Sequence, residues 1–337
     1  ITNPKELKLP KGKILPSQSS EYVKKVFPHL TMLCYQGLAS QNREDLTDEE
    51  KRESDIEEKE LKEILKNKDA DLIVFDELHR SGAKTWKNVV NQLINYNKKA
   101  NILGGLLWMK MGHKTIQTAI DLSNLGLDKI EENDEYFEIG AMVRLRDLEV
   151  HEGLNKYFNN AIENCVKSIV GVQFRNCATI GGSIFSRFGF SDPLTCLLAL
   201  DSYVKLYKGG VISMREFVNM PYDNDILEKV IIKKDNRKIS YMSHRNISTD
   251  FPVLTCAVSK LGDKFAVAVG ARPQKAVLVL DEENILSCDP TKDEIEKFAD
   301  YVEGKLTFGS NMRASKDFRS HLCKVLVKRC INEVGGM

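Results

Sequence analysis

The chain has 337 residues, 42% of them hydrophobic and 29% charged, and its 49 Lys plus Arg against 48 Asp plus Glu leave a formal net charge of +1. That length suits two or three compact units, each with its own core, and so even a charge balance argues against a dedicated nucleic-acid or membrane-surface protein. No apolar run nears the roughly 18 residues of a membrane span and no charged-then-apolar segment opens the sequence, so the expectation is a soluble, cytoplasmic protein with no membrane partner.

Residues 1–20 carry three prolines and a serine run and read as an extended lead-in. Residues 30–35 are a candidate strand, and the charged stretch 41–68 holds a candidate solvated helix at 57–64. The candidate strand at 71–75 is apolar from Leu72 to Phe75 and runs into Asp76 and Glu77. A short apolar run ending in two carboxylates is the pattern of a buried parallel strand that delivers acids at its carboxyl end. With residues 27–39 and 80–83, this stretch resembles the first motor domain of superfamily 2 helicases, Asp76-Glu77-Leu78-His79 standing as the DEAD/DEAH-type box, over residues 1–98. That family cradles ATP phosphates on a G-x-x-x-x-G-K-[ST] loop, which this sequence lacks. A helicase-like remnant or fusion without ATPase activity is therefore expected.

Residues 84–95 place Trp86, Val89, Val90, Leu93 and Ile94 on one helical face, between the strand at 71–75 and a second at 100–103. The order predicts a βαβ unit, completed by residues 71–98. The second strand runs into Leu103-Gly104-Gly105-Leu106-Leu107, a backbone anion-site pattern without the G-x-G-x-x-G of a Rossmann fold. Strands are expected at 117–126 and 136–144, then a helix from Leu145 and another over 160–170.

Thr179-Ile180-Gly181-Gly182-Ser183 puts two residues without Cβ beside two hydroxyls, so main-chain N–H groups could closely approach a ligand such as a phosphate. Ser191-Asp192-Pro193 reads as a helix start ahead of apolar residues 194–200, with a capping side chain before proline. A strand at 203–207, a turn at Gly209-Gly210 and a strand at 211–217 follow. Residues 243–259, 265–273 and 276–280 read as three antiparallel strands, and helices over 292–304 and 315–333 close the chain. The eight cysteines, at 34, 165, 177, 196, 256, 288, 323 and 330, include no C-x-x-C pair. Iron–sulfur and zinc sites need clustered thiolates, so no metal site is expected here and any iron–sulfur cluster serving the protein would sit on another chain.

The string from Arg175 to Ile184, Asp192 at its spacing and Leu197-Leu198-Ala199-Leu200-Asp201 closely resemble the FAD-binding, or medium, subunit of molybdenum hydroxylases of the xanthine dehydrogenase and carbon monoxide dehydrogenase type. The resemblance covers residues 100–335. It implies an α+β chain with a PCMH-type FAD-binding fold of two α/β subdomains and a C-terminal domain with a three-stranded antiparallel sheet and helices. The domain reading is a helicase-like 1–98, an FAD-binding 99–217 and a C-terminal 218–337. The resemblance also implies FAD as cofactor, an iron–sulfur small subunit and a molybdopterin large subunit as partners, and NAD(H) or another electron acceptor. It implies Leu103, Gly104, Gly105, Leu106, Leu107, Thr179, Ile180, Gly181, Gly182 and Ser183 as cofactor-binding, with the backbones of the four glycines on the pyrophosphate and the Thr179 and Ser183 hydroxyls assisting. Asp192 is either a ribityl or ribose hydroxyl acceptor or only a helix cap, and Arg245 with Asp250 either orients the flavin side or forms a structural ion pair. Two departures stand out: the polar residues that normally follow the first Gly-Gly are missing, and Ser183 stands where many members have Asn. The competing readings are a helicase-derived nucleic-acid-binding module and an inactive fusion.

Overall fold

The computed structural model describes residues 31–33, 73–75, 100–113, 118–123, 125–222 and 225–335. The expected helices at 57–64 and 84–95 and the acids Asp76 and Glu77 lie outside the described residues. The chain divides into two units, Ile1–Leu103 with His113–Leu125, and Gly104–Gly112 with Gly126–Met337.

In the first unit β1 (Thr31–Leu33), β2 (Ile73–Phe75), β3 (Ala100–Leu103) and β4 (Thr118–Asp121) form a sheet in the order β1-β2-β4-β3. Every pairing is parallel, and Ile120 of β4, opposite both Ile73 and Ile102, is fully buried. Parallel strands are covered on both faces and read as unbroken apolar runs, which is the pattern of Ile73-Val74-Phe75. The strand that leads into the helicase-like acidic box thus shares a sheet with the strands flanking the first glycine loop.

In the second unit α1 (Leu107–Met111) follows that loop. β5 (Ile130–Glu132) and β6 (Tyr136–Gly140) then open an antiparallel sheet whose order is β5-β6-β9-β7-β8. Six helices separate β6 from β7: α2 (Leu145–Val150), α3 (Glu152–Tyr157), α4 (Ala161–Val166), α5 (Val172–Arg175), α6 (Ile180–Phe185) and α7 (Asp192–Ala199). α4 is shorter than the 160–170 expectation, with Asn160 at φ 61° and Val170 at φ 49° marking left-handed backbone at either side of it. β7 (Ser202–Leu206), β8 (Gly210–Ser213), α8 (Met214–Asn219) and β9 (Leu227–Lys233) complete the sheet region.

Two expectations are corrected here. Residues 214–217 are helical, because the Ser213 hydroxyl accepts the Glu216 amide and caps α8. The sheet also runs past the boundary read at residue 217, since β9 pairs with both β6 and β7 and supplies the buried Val230 and Ile232 to their core.

The last sheet is antiparallel in the order β10-β11-β12-β13, formed by β10 (Lys238–His244), β11 (Leu254–Leu261), β12 (Lys264–Gly270) and β13 (Val277–Leu280). It has four strands where three were expected. Residues 243–259 are not one strand: the chain turns back after His244, and the Arg245 Nε–H donates to the Asp250 carbonyl at 2.9 Å inside that connection. α9 (Lys292–Gly304) and α10 (Lys316–Gly335) pack against the sheet around Val258, Val267, Phe298 and Val327. Among the described residues no helix is long and apolar enough to cross a membrane.

Candidate functional site

The two glycine pairs meet in the second unit. A Cβ added to Gly104 would lie 2.9 Å from Thr179 Oγ1 and 3.9 Å from Gly182 Cα, so the loops touch at van der Waals distance. At Gly105 an added Cβ would fall 2.0 Å from the Cys177 carbonyl oxygen, a separation no side chain can occupy. The chain turns at once: Leu106 sits at φ 63°, and Leu107 begins α1. Among the described residues the main-chain N–H groups of Gly104 and Gly105 meet no acceptor. Two adjacent, half-buried and unfilled donors beside a close-packed backbone fit an anionic group.

Thr179-Ile180-Gly181-Gly182-Ser183 is built differently from the expectation. Thr179 is the N-cap of α6, its Oγ1 accepting the Gly182 N–H at 3.2 Å, and both glycines lie in the first helical turn. The Ile180 and Gly181 amides donate to Val143 and Ala141 carbonyls, each at 2.9 Å, and the Ser183 amide donates to the Thr179 carbonyl at 3.1 Å. The Ser183 hydroxyl is turned to the same carbonyl, at 2.9 Å. The expectation that main-chain N–H groups of this turn, those of Gly181 and Gly182 among them, approach a phosphate is therefore corrected: the helix and the 141–143 segment already use them. Gly181 is glycine because an added Cβ would lie 2.7 Å from the Ala141 oxygen. Thr179 Oγ1 accepts from Gly182, which leaves its own proton to give. The fit to a pyrophosphate therefore rests on the Gly104 and Gly105 amides and the Thr179 hydroxyl.

Asp192 is not open to a ligand. It is 3% exposed, and its Oδ1 takes an Arg245 Nη2–H at 2.6 Å and the Tyr241 hydroxyl at 2.5 Å. Ser191, not Asp192, caps α7, its hydroxyl accepting the Leu194 amide at 3.3 Å. Burial pushes the Asp192 carboxyl above the usual carboxylate range, against the pull of Arg245 and Tyr241, and pushes the Tyr241 hydroxyl well up. The Arg245–Asp250 ion pair weighed from sequence is replaced: Arg245 binds the Asp192 carboxylate, while the Asp250 carboxylate lies 3.4 Å from Arg313.

The segment before Thr179 is clamped by Arg175. Its Nε and Nη2 donate to the two Glu149 carboxylate oxygens at 2.7 and 3.0 Å, and its Nη1 donates to the Ile169 carbonyl at 3.0 Å. Burial pushes the Glu149 carboxyl up, but Arg175 and Arg146 outweigh it and hold the group below its ordinary value. A carboxyl lowered in the folded state gives stability that is present above its unfolded pKa, about 4.3, and is lost as pH falls through the folded value. Denaturant melts from pH 7 down to pH 3 should show the native chain losing stability over the acid limb, and Glu149→Gln, weaker at pH 7, losing less there.

Sequence reading assigned no aromatic residue to the site. The structure gathers Trp108, Phe188, Phe190 and Phe251 beside the glycine loops, with Trp108 and Phe190 ring centroids 5.5 Å apart. Their only sequence signal is position, since Trp108 follows the first glycine pair and Phe188 and Phe190 follow the second. Among the described residues no group of His, Cys, Asp or Glu could hold a metal.

Residues 81–234 match the family described as FAD binding domain in molybdopterin dehydrogenase, and residues 240–334 match the CO dehydrogenase flavoprotein C-terminal domain. Residues 12–105 match the type III restriction enzyme res subunit, overlapping the flavin domain in the stretch that leads into the first glycine loop. The uncharacterized protein YgfM of Escherichia coli K12 is 29% identical over 166 residues, 49% of this chain, and the chain spans only 62% of that relative's length. The glyceraldehyde dehydrogenase medium chain of Sulfolobus acidocaldarius is 22% identical over 231 residues, 64% of this chain and 82% of its own. In fold, the chain is similar to quinoline 2-oxidoreductase of Pseudomonas putida 86, with a TM-score of 0.67 and 18% identity over 74% of this chain and 93% of that one. It is likewise similar to a carbon monoxide dehydrogenase of Hydrogenophaga pseudoflava, with a TM-score of 0.65 and 20% identity over 73% and 92% of the two chains. A flavin domain and its C-terminal companion thus stand in succession over residues 81–334, and this part of the chain matches FAD-binding medium subunits of molybdenum hydroxylases.

Proposed function

We propose that the chain is the electron-transfer flavoprotein of a molybdenum hydroxylase. In this reading FAD receives electrons from iron–sulfur clusters on a small subunit, fed by a molybdopterin centre on a large one, and passes them to NAD or another acceptor. FAD, when bound, supplies the junction between single-electron and two-electron transfer. The observation that carries the reading is the meeting of the two glycine pairs, with the Gly104 and Gly105 amides open and the Thr179 hydroxyl beside them. These three groups hold the pyrophosphate. Leu103, Leu106, Leu107 and Ile180 shape its surroundings, and Gly181, Gly182 and Ser183 act by fixing the first turn of α6. Asp192 is a positioning residue: through Arg245 and Tyr241 it ties α7 to the β10 end of the C-terminal sheet.

The res-subunit match favours a second reading, nucleic-acid or ATP binding by the first unit. The absence of a G-x-x-x-x-G-K-[ST] loop from the sequence argues against ATP hydrolysis.

The FAD-loaded chain alone is expected to reduce an artificial dye from NADH, and to hydroxylate no N-heterocycle until iron–sulfur and molybdenum subunits are added. Hydroxylase turnover by the chain alone, in a preparation that elemental analysis finds free of molybdenum and iron, would overturn the proposal.

A further inference from the structure

We propose that Trp108, Phe190 and Phe251, with the Arg313 guanidinium, form the platform on which the isoalloxazine ring of FAD stacks. This rests on the flavin reading above. The segments that leave the two glycine loops converge on the cluster: Trp108 lies in the first turn of α1, three residues after Gly105, and Phe188 and Phe190 follow α6. Phe251 joins them from the connection between β10 and β11. Trp108 stands 5.6 Å from Phe251 with the rings tilted 32°, and Phe190 stands 4.8 Å from Phe251 nearly edge-on.

The platform is open. Trp108 is 43% exposed and Phe188 39%. Large aromatic surface left in water beside a polar anion site is the character of a planar-ring pocket rather than of core. Arg313 chooses the ring. Its guanidinium lies 4.8 Å over Phe251, and its Nε is buried with no partner among the described residues. A guanidinium gives only hydrogen-bond donors, and the isoalloxazine rim carries carbonyl acceptors where adenine offers ring nitrogens beside an amino donor that a guanidinium cannot satisfy. The adenine end of FAD is thus the poorer match to this face.

Flavin emission provides the test, because an indole in contact with the ring quenches it. FAD bound to the native chain should be nearly dark. Trp108→Leu should regain at least about fivefold in emission and bind FAD about tenfold more weakly, equivalent to about 1.4 kcal/mol, with ADP affinity by competition changed less than about twofold. Phe188→Leu, at the open margin, should shift both readouts the same way by less, and serves if Trp108→Leu fails to fold. Bound FAD whose emission and affinity are indifferent to both substitutions would overturn the platform. So would an equal loss for ADP and FAD, which would put adenine there. If the native chain binds no FAD, the flavin reading fails, and the platform with it.

Discussion

Replacing Gly105 with alanine is expected to destabilise the chain by about 3 kcal/mol and to abolish FAD retention. The added Cβ would sit 2.0 Å from the Cys177 oxygen, 2.6 Å from the Cys177 carbonyl carbon and 2.9 Å from Ala178 Cα. All three are main-chain atoms, so no rotamer change relieves the clash and the 177–179 backbone must move. That backbone receives the Leu145 amide on the Ala178 carbonyl at 2.8 Å and ends in the Thr179 cap. Movement therefore spreads to α2, α6 and the Thr179 hydroxyl together. Gly112→Ala is the control, since its Cβ would come no closer than 3.4 Å to another atom. Denaturant melts and flavin-to-protein ratios of the two variants measure the effect. A Gly105→Ala protein as stable and as flavin-rich as the control would show that the loops do not pack as described.

Asp192→Ala should cost about 3–5 kcal/mol, the range for stripping one partner from a buried ion pair. The loss comes chiefly from leaving the Arg245 guanidinium buried without its carboxylate, together with the Tyr241 hydroxyl that shared it. Asp192→Asn keeps an oxygen for both donors and should cost less. Its milder effect also follows from the raised Asp192 pKa. A carboxyl raised by folding adds stability that is fully present below its unfolded pKa and lost as pH rises through the folded one, so the neutral form is the one the site tolerates better. The double variant Asp192→Ala with Arg245→Met should recover part of the loss, because no charge is then stranded. Additive losses in that cycle would contradict the coupling.

Local signals made much of this legible in the sequence. Thr291 caps α9 with Glu294 reaching back to it, and Ser191 caps α7, so both helices begin where residue pattern alone puts them. The glycine pairs were visible as pairs, but which of their amides were free was not, because the acceptors at Ala141 and Val143 lie about forty residues upstream. Distance in sequence hid Asp192 in the same way: next to proline it reads as a cap, and only the fold brings Arg245 to it. The place of β9 depends on pairing with Tyr136–Gly140 and Ser202–Leu206, for which residues 227–233 carry no local mark. The aromatic platform escaped for the same reason, since Trp108, Phe190 and Phe251 meet only in tertiary structure.

On the proposed reading the Gly104 and Gly105 amides and the Thr179 hydroxyl, where the two glycine loops meet, hold the pyrophosphate of FAD. Titration of the purified, flavin-free chain with FAD and with FMN, followed by calorimetry, tests it most directly. FMN has the same ring but only a single phosphate, so the account predicts one noncovalent FAD per chain, with FMN bound at least about tenfold more weakly, a difference of about 1.4 kcal/mol. Equal affinity for the two flavins, or no uptake of FAD at all, would contradict it.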